Sequence, residues 1–150
     1  MHLRRRARRV ALEVLYEVDC ASHPAPEVLE RRLEDEPMDE STAEFLRDLV
    51  MGVMQNRPIL DRLIQQYAPE WPVEQMAIID RNVLRIAIYE LLVSRNAPLK
   101  VAINEAVELA KTYGSDSAPR FVNGVLGTLA SKQEELAAAF SRWEGLPGAG

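Results

Sequence analysis

The sequence predicts an all-α protein of about seven helices, and three features predict it. Apolar residues recur at three- and four-residue spacings through most of the 150 residues. No segment shows the strict alternation, bounded by turns, of a half-buried strand. Proline and glycine fall mainly between the periodic stretches, where they punctuate helices.

The first helix is expected from about Arg4 to Asp19. At about 100° per residue, Ala7, Val10, Ala11, Val14, Leu15 and Val18 gather on one face. Arg4, Arg5, Arg8 and Arg9 are expected on the opposite flank, with Tyr16 in the sector of Arg5 and Arg9. Pro24 breaks the helix, and a short second one spans about Pro26 to Asp35. A third carries Phe45, Leu46, Leu49, Val50, Val53 and Met54. Asn56-Arg57-Pro58 is expected as a junction, because proline suits the first turn of a new helix. That fourth helix holds Ile59, Leu60, Leu63, Ile64 and Tyr67 and stops before Pro69. Met76 to Val93 forms the fifth, interrupted by Ala97-Pro98. The sixth runs from about Lys100 to Tyr113, with Gly114 in the C′ position. Ser117 is placed to cap a last helix that starts near Pro119 and continues toward Phe140. Asn123-Gly124 is a hairpin signal in isolation. Inside this helical pattern it marks a small residue that allows close packing. The tail from Gly145 to Gly150 is expected to fray.

The length fits one compact domain, 1–150, with a sizeable core. No apolar run approaches the roughly 20 residues of a membrane span. The basic N-terminus lacks the apolar stretch and cleavage site of a secretory signal. Cys20 stands alone, which excludes an internal disulfide and fits a reducing cytosol, so a cytoplasmic location with no membrane association is expected. Enzyme signatures are missing: no phosphate-cradling glycine loop, no paired CxxC and no HExxH. Cys20 and His23 lie three apart, but nothing marks an orienting group or an oxyanion site, so they are expected as a partly buried thiol beside a surface histidine. Two histidines and one cysteine argue against a transition-metal site. No catalytic residue, metal or cofactor is assigned.

The chain opens with His2-Leu3 and then five arginines within six positions: Arg4, Arg5, Arg6, Arg8 and Arg9. The formal net charge is −5, and without these five it would be −10. A concentrated cationic handle on an acidic body suits a polyanion. Its position at a helix N-terminus, where partial positive charge already resides, costs stability. Nucleic acid, a simple solvated segment and membrane-surface attraction all remain open at this point. Tyr16 beside the arginines adds a stacking surface for an unpaired base, or else a rim residue of the core. Arginine outnumbers lysine fifteen to three, which favours fork-like phosphate contacts.

Val101-Ala102-Ile103-Asn104-Glu105-Ala106-Val107-Glu108-Leu109-Ala110-Lys111, with Tyr113-Gly114 and Arg120-Phe121-Val122-Asn123-Gly124-Val125-Leu126, resembles the C-terminal signature of the NusB family. Asp80-Arg81-Asn82-Val83-Leu84-Arg85-Ile86-Ala87-Ile88-Tyr89-Glu90-Leu91 and the N-terminal RRRARR with Leu15-Tyr16 are similar to the same family, in register from about residue 4 to 130. The resemblance implies two packed small helical bundles, about 4–67 and 72–143, and a role in transcription antitermination and ribosomal RNA synthesis. It implies binding of single-stranded boxA RNA together with NusE, a small-subunit ribosomal protein, in an RNA polymerase elongation complex with NusA and NusG. Pairing of two copies into a homodimer that hides the RNA face is also known in such proteins. By position, the arginines Arg4, Arg5, Arg6 and Arg8, with neighbouring Arg9, match the RNA-binding motif. Tyr16 matches the aromatic that follows, and Arg120 and Phe121 lie where RNA also approaches. Asp80 and Arg81 match the charged pair that faces NusE.

Asn104, Glu105 and Asn123 are expected to hydrogen-bond between the two signature helices, and Trp71 and Tyr89 to pack. The competing functional reading is a protein-interaction module that binds NusE and touches RNA only incidentally.

Overall fold

A computed structural model describes residues 2–144, with the side chains of residues 3–142. The described residues contain seven α-helices and no strand. They are α1 (His2–Ala21), α2 (Ala25–Asp35), α3 (Glu40–Tyr67), α4 (Ile78–Tyr89), α5 (Leu99–Tyr113), α6 (Ala118–Ala130) and α7 (Gln133–Glu144). A 3-10 turn at Val73–Gln75 leads into α4, and a π-helical turn at Glu90–Ser94 follows it. The tail from Gly145 to Gly150 lies outside the described residues.

Helices α1, α2 and α3 pack as one group, and α5 and α6 form the tightest pair of the other. Helix α4 lies between, against α1 and α3 on one side and α5 and α6 on the other. Its residues Val83 to Tyr89 are therefore all buried, including Arg85. One continuous apolar core results, with Leu12, Leu46, Leu60, Leu84, Ile88 and Leu126 fully enclosed. Each such side chain contributes about 1.5–3 kcal/mol by leaving water.

The helix count matches the expectation, but two boundaries do not. Pro58 starts no helix; it lies inside α3, an unbroken run of 28 residues. An interior proline costs about 3 kcal/mol through its lost hydrogen bond and ring clash. Here the ring is exposed, while Val53 before it and Leu60 after it are both fully buried on one face. Tertiary packing on either side carries the helix through. Conversely, the helix expected from Pro119 to Phe140 breaks after Ala130, where the N–H of Lys132 bonds the Leu129 carbonyl at 3.0 Å in a tight turn. The break folds α7 back, so that Gln133 Nε2 donates to the Leu91 carbonyl at 2.9 Å and Phe140 is buried.

The small residues also act differently from expectation. Gly124 faces open space, not a neighbouring helix. Gly114 ends α5 with φ −92° and ψ −177°, an extended conformation, so the left-handed C′ cap does not form. What position 114 requires is room: a Cβ there would lie 2.6 Å from Ala118 Cβ. Ser117 precedes α6 but its side chain makes no capping bond. Helices α3 and α4 meet closely at Gly52, where a Cβ would overlap the Tyr89 ring. Tyr89 packs as expected, with its hydroxyl donating to Asp48 at 2.8 Å. Trp71, expected to pack, is instead 55% exposed.

Asp19, near the end of α1, ties three helices together. It accepts from Arg57 on α3 at 3.0 Å and from Arg81, Asn82 and Arg85 on α4 at 2.9, 2.9 and 3.0 Å. Burial pushes its carboxyl up, but donation from Arg81 and Asn82 and the charges of Arg85 and Arg57 outweigh this and hold the pKa at about 2. Because that value lies below the ordinary 3.8, the stabilisation is complete above the ordinary value and is lost as pH falls through about 2. The shift corresponds to about 2 kcal/mol. Urea midpoints followed down to about pH 2 should show an acid limb that is shallower in Asp19→Asn, itself destabilised at neutral pH. Parallel limbs in the two proteins would remove Asp19 from this role.

Candidate nucleic-acid interface

The five N-terminal arginines do not form one free cationic patch. Arg8 is the clearest departure from expectation. It stands only about 20° from Leu15 around the helix, so ordinary helical geometry sets it at the edge of the apolar stripe instead of opposite it. Its side chain is 4% exposed and forks onto Glu90, itself 1% exposed, through bonds of 2.9 and 2.8 Å. Arg4, one turn earlier on the same side, lies over the Phe45 ring at 4.6 Å and donates to the Asn96 carbonyl at 2.9 Å. Neither residue belongs to the flank expected for it.

Arg5, Arg6 and Arg9 face outward, and each meets a carboxylate. Arg5 is bidentate on Glu105 of α5, with Nη2 at 2.8 Å, yet keeps a side chain 68% exposed. Arg6 and Arg9 converge on Glu36 just past α2, both at 2.7 Å. Arg9 also pairs with Glu13 at 3.2 Å. Burial raises the Glu13 carboxyl, but bonds from the Tyr113 hydroxyl and Arg32 with the Arg9 charge bring it below its usual range. Glu36 is lowered too, chiefly by the Arg6 bond. These carboxylates explain how arginines tolerate a helix N-terminus: the first turn of α1 has no acidic residue, and Glu36 after α2, Glu90 after α4, Glu105 on α5 and Glu13 one turn further along α1 supply the neutralising charge.

Three clefts hold residues of this cluster and the other predicted residues. Arg5, Arg6, Arg8 and Arg9 line the first, together with Leu109 and Tyr113. Tyr113 also lines the second, with Leu12, Tyr16 and Ile79. The third begins at Asp80, beside Ile79, and holds Trp71, Arg120 and Phe121. Tyr16 is 43% exposed, and its phenol is pushed up by a hydrogen bond with Cys20 one turn along. Phe121 is half-buried at the start of α6. Arg120 is exposed and, among the described residues, makes no ion pair or hydrogen bond. The structure thus places Arg5, Arg6, Arg8 and Arg9 in a cleft that shares Tyr113 with the cleft of Tyr16, and it places Arg120 and Phe121 together in a separate one.

The pair at the head of α4 is turned largely inward. Arg81 bonds Asp19 at 2.9 Å and the carbonyls of Val73 and Glu74 at 3.4 and 3.1 Å. Asp80 Oδ1 is buried without a hydrogen bond, and burial raises the carboxyl. Asn104 and Asn123 are exposed and make no hydrogen bond among the described residues, while Glu105 serves α1 and not α6, so the expected helix–helix bonding does not form. Cys20 is exposed, not partly buried, and His23 Nδ1 lies 2.9 Å from Glu17, so no thiol–imidazole pair exists.

Sequence reasoning missed Glu36 and Glu90, and singled out Glu105 for the wrong partner, α6 instead of α1. Glu90 carried a signal, a lone charge between Tyr89 and Leu91-Leu92 in an apolar run; Glu36 lay in an unpatterned turn. The Arg8–Glu90 pair yields a stability prediction. Removing one partner strands the other as a buried charge, so Arg8→Ala should cost about 3–5 kcal/mol in urea unfolding. Arg5→Ala, at an exposed pair, should leave the midpoint nearly unchanged. Equal losses would contradict the difference in burial.

The NusB family model matches residues 5–131. A transcription antitermination protein NusB from Chloroflexus aggregans is 55% identical over 131 residues, covering 86% of this chain and 87% of that protein. One from Dehalococcoides mccartyi is 48% identical over 134 residues, covering 89% of this chain and 94% of that protein. Among solved structures, NusB of T. maritima superposes with a TM-score of 0.80 at 35% identity, over 88% of this chain and 96% of that one. A complex of antitermination factors NusB and NusE with dsRNA also gives 0.80, at 25% identity over 87% and 98%. With 127 consecutive positions matched and the same helices superposed, the chain belongs to the NusB family.

Proposed function

We propose that this chain is a non-catalytic transcription antitermination factor that holds single-stranded boxA RNA jointly with NusE and supports ribosomal RNA transcription. The observation that carries this reading is the grouping of the α1 arginines and Tyr16 in two clefts that share Tyr113, with Phe121 and Arg120 together in a third. Cations in such clefts suit phosphates, and aromatic faces suit unstacked bases. The solved NusB–NusE complex with RNA supports the choice of partners.

In this mechanism Arg5, Arg6 and Arg9 exchange a carboxylate for a phosphate when RNA arrives. Arg4 adds charge from beside Phe45, and Arg8 acts as a positioning residue that sets the pitch of α1 against α4. Tyr16 and Phe121 stack bases, and Arg120 takes a phosphate beside Phe121. Asp80 and Arg81 mark the partner-facing head of α4, which Arg81 shapes through its bonds to Val73 and Glu74. RNA polymerase with NusA and NusG is the larger assembly in the cytoplasm, and a homodimer across this face would compete with RNA.

A salt titration of boxA binding, with NusE present, tests the arginines. Log affinity should fall by about 0.7 per neutralised phosphate for each unit of log salt. Replacing Arg4, Arg5 and Arg6 by alanine should flatten the slope by about two units, and an unchanged slope would sink their role. Arg8 is left intact because its loss unfolds the site. In the same assay Glu36→Gln should bind more tightly than the parent, since it releases Arg6 and Arg9. NusE binding that survives the arginine replacements, with no preference for boxA, would make the chain a protein-interaction module instead.

A further inference from the structure

Behind the arginines of α1 lies a charge network that contains a duplicate. Arg9, from α1, bridges Glu13 at 3.2 Å and Glu36 at 2.7 Å. Arg32, from the last turn of α2, bridges the same two carboxylates from the other helix, at 2.6 Å from Glu13 and 3.5 Å from Glu36. Arg6 adds a third guanidinium to Glu36 at 2.7 Å. Three cations thus serve two anions. The two bridges differ in where they stand. Arg6 and Arg9 line the arginine cleft, whereas Arg32, Glu13 and Glu36 are not part of its lining. The Arg32 side chain is 23% exposed against 38% for Arg9. Its backbone is pinned as well: its carbonyl accepts from the Glu36 N–H at 2.8 Å, and Val28 and Leu29 bury the helix that carries it. A cation in that last turn also suits the negative end of the helix.

We propose that Arg32 is a resident counter-ion for RNA binding: it holds Glu13 and Glu36 while Arg6 and Arg9 leave them for phosphates, and it touches no RNA itself. The inference rests on the RNA reading above and gives it a positioning residue on α2. The need for such a residue follows from charge. An arginine that turns to a phosphate leaves its carboxylate behind, and two uncompensated carboxylates beside the strand would repel the phosphates that displaced them. With Arg32 in place the network keeps one net negative charge instead of two. Glu13 and Glu36 are each only about a quarter exposed, so water screens them incompletely. The Tyr113 hydroxyl donates to Glu13 at 2.6 Å, which satisfies an oxygen but brings no charge. Arginine fits the task because its guanidinium stays charged at any ordinary pH. Arg9 is thereby the releasable bridge and Arg32 the one that stays.

The test is fluorescence anisotropy of labelled boxA RNA with the full chain and NusE, repeated across a salt titration. Arg32→Gln should weaken binding about fivefold at fixed salt, the size of one partly exposed charge pair, while the salt slope stays that of the parent. Arg32→Lys, which keeps the charge, should restore most of the loss. In a Glu13→Gln/Glu36→Gln background the same Arg32→Gln change should leave affinity unaltered, because the carboxylates it serves are gone. A thermal midpoint well above the assay temperature verifies that each variant is folded. If Arg32→Gln lowers only that midpoint and leaves affinity alone, the residue is a structural staple; the proposal fails and the RNA reading stands. A slope flattened by about 0.7 would make Arg32 a phosphate contact and overturn its role as a bystander. An equal loss in the Glu13→Gln/Glu36→Gln background overturns it too. If the parent binds no boxA RNA with NusE, the RNA reading and the proposal fall together.

Discussion

Helix α1 is clamped at both ends by charge, and the geometry of the arginine-bearing surface depends on that clamp. Near its start, Arg8 is buried in a fork on Glu90 at the π-helical turn that follows α4. Near its end, Asp19 gathers three guanidinium groups and the Asn82 amide from α3 and α4. Between the two lies an apolar stripe, Val10, Ala11, Val14, Leu15 and Val18, that is buried against the neighbouring helices. Apolar contacts hold the helix down, but they are forgiving about rotation and sliding. Directional charge pairs are not, and so they set where Arg5, Arg9 and Tyr16 point. A buried ion pair is weak evidence for net stability; its value here is in fixing position.

The acidic body and the basic helix are one electrostatic system. The outward arginines rest on carboxylates from three elements: Arg5 on Glu105 of α5, Arg6 and Arg9 on Glu36 after α2, and Arg9 also on Glu13 of α1 itself. The surface is thereby close to neutral where composition suggested strong positive potential. A phosphate must displace a carboxylate already in place, so each arginine contributes a difference between two ion pairs and not a whole one. That favours ligands offering several phosphates in a row and disfavours stray anions.

Much of this was legible beforehand, and the failures share a cause. The helical period, the proline breaks at Pro24, Pro69 and Pro98, and the apolar face of α1 are local properties, and local patterns reported them correctly. Pro58 misled because its penalty is local while its compensation, Val53 and Leu60 against a distant helix, is not. Arg8 was misplaced for another reason. Its charge suggested solvent although its angle on the helix suggested the core, and the deciding partner, Glu90, lies 82 residues away. Trp71 shows the reverse: hydrophobic character suggested burial, but among the described residues it is left 55% exposed. The aromatic and basic residues of the clefts were visible singly. That Tyr113 links the arginines to Tyr16 was not, because the linkage exists only once α1 and α5 meet.

The Tyr89 ring lying on Gly52 has a consequence for the way RNA is received. At that point α3 and α4 meet through a ring seated in a missing side chain, and no other register of the two helices offers such a seat. Sliding one helix past the other would have to lift the ring out and break its bond to Asp48. The scaffold beneath the clefts therefore has a single arrangement, and adjustment to a ligand falls to side chains at its rim. The ordering of the backbone was completed during folding, so association loses little conformational entropy to it. Recognition on this frame is selection by a rigid template.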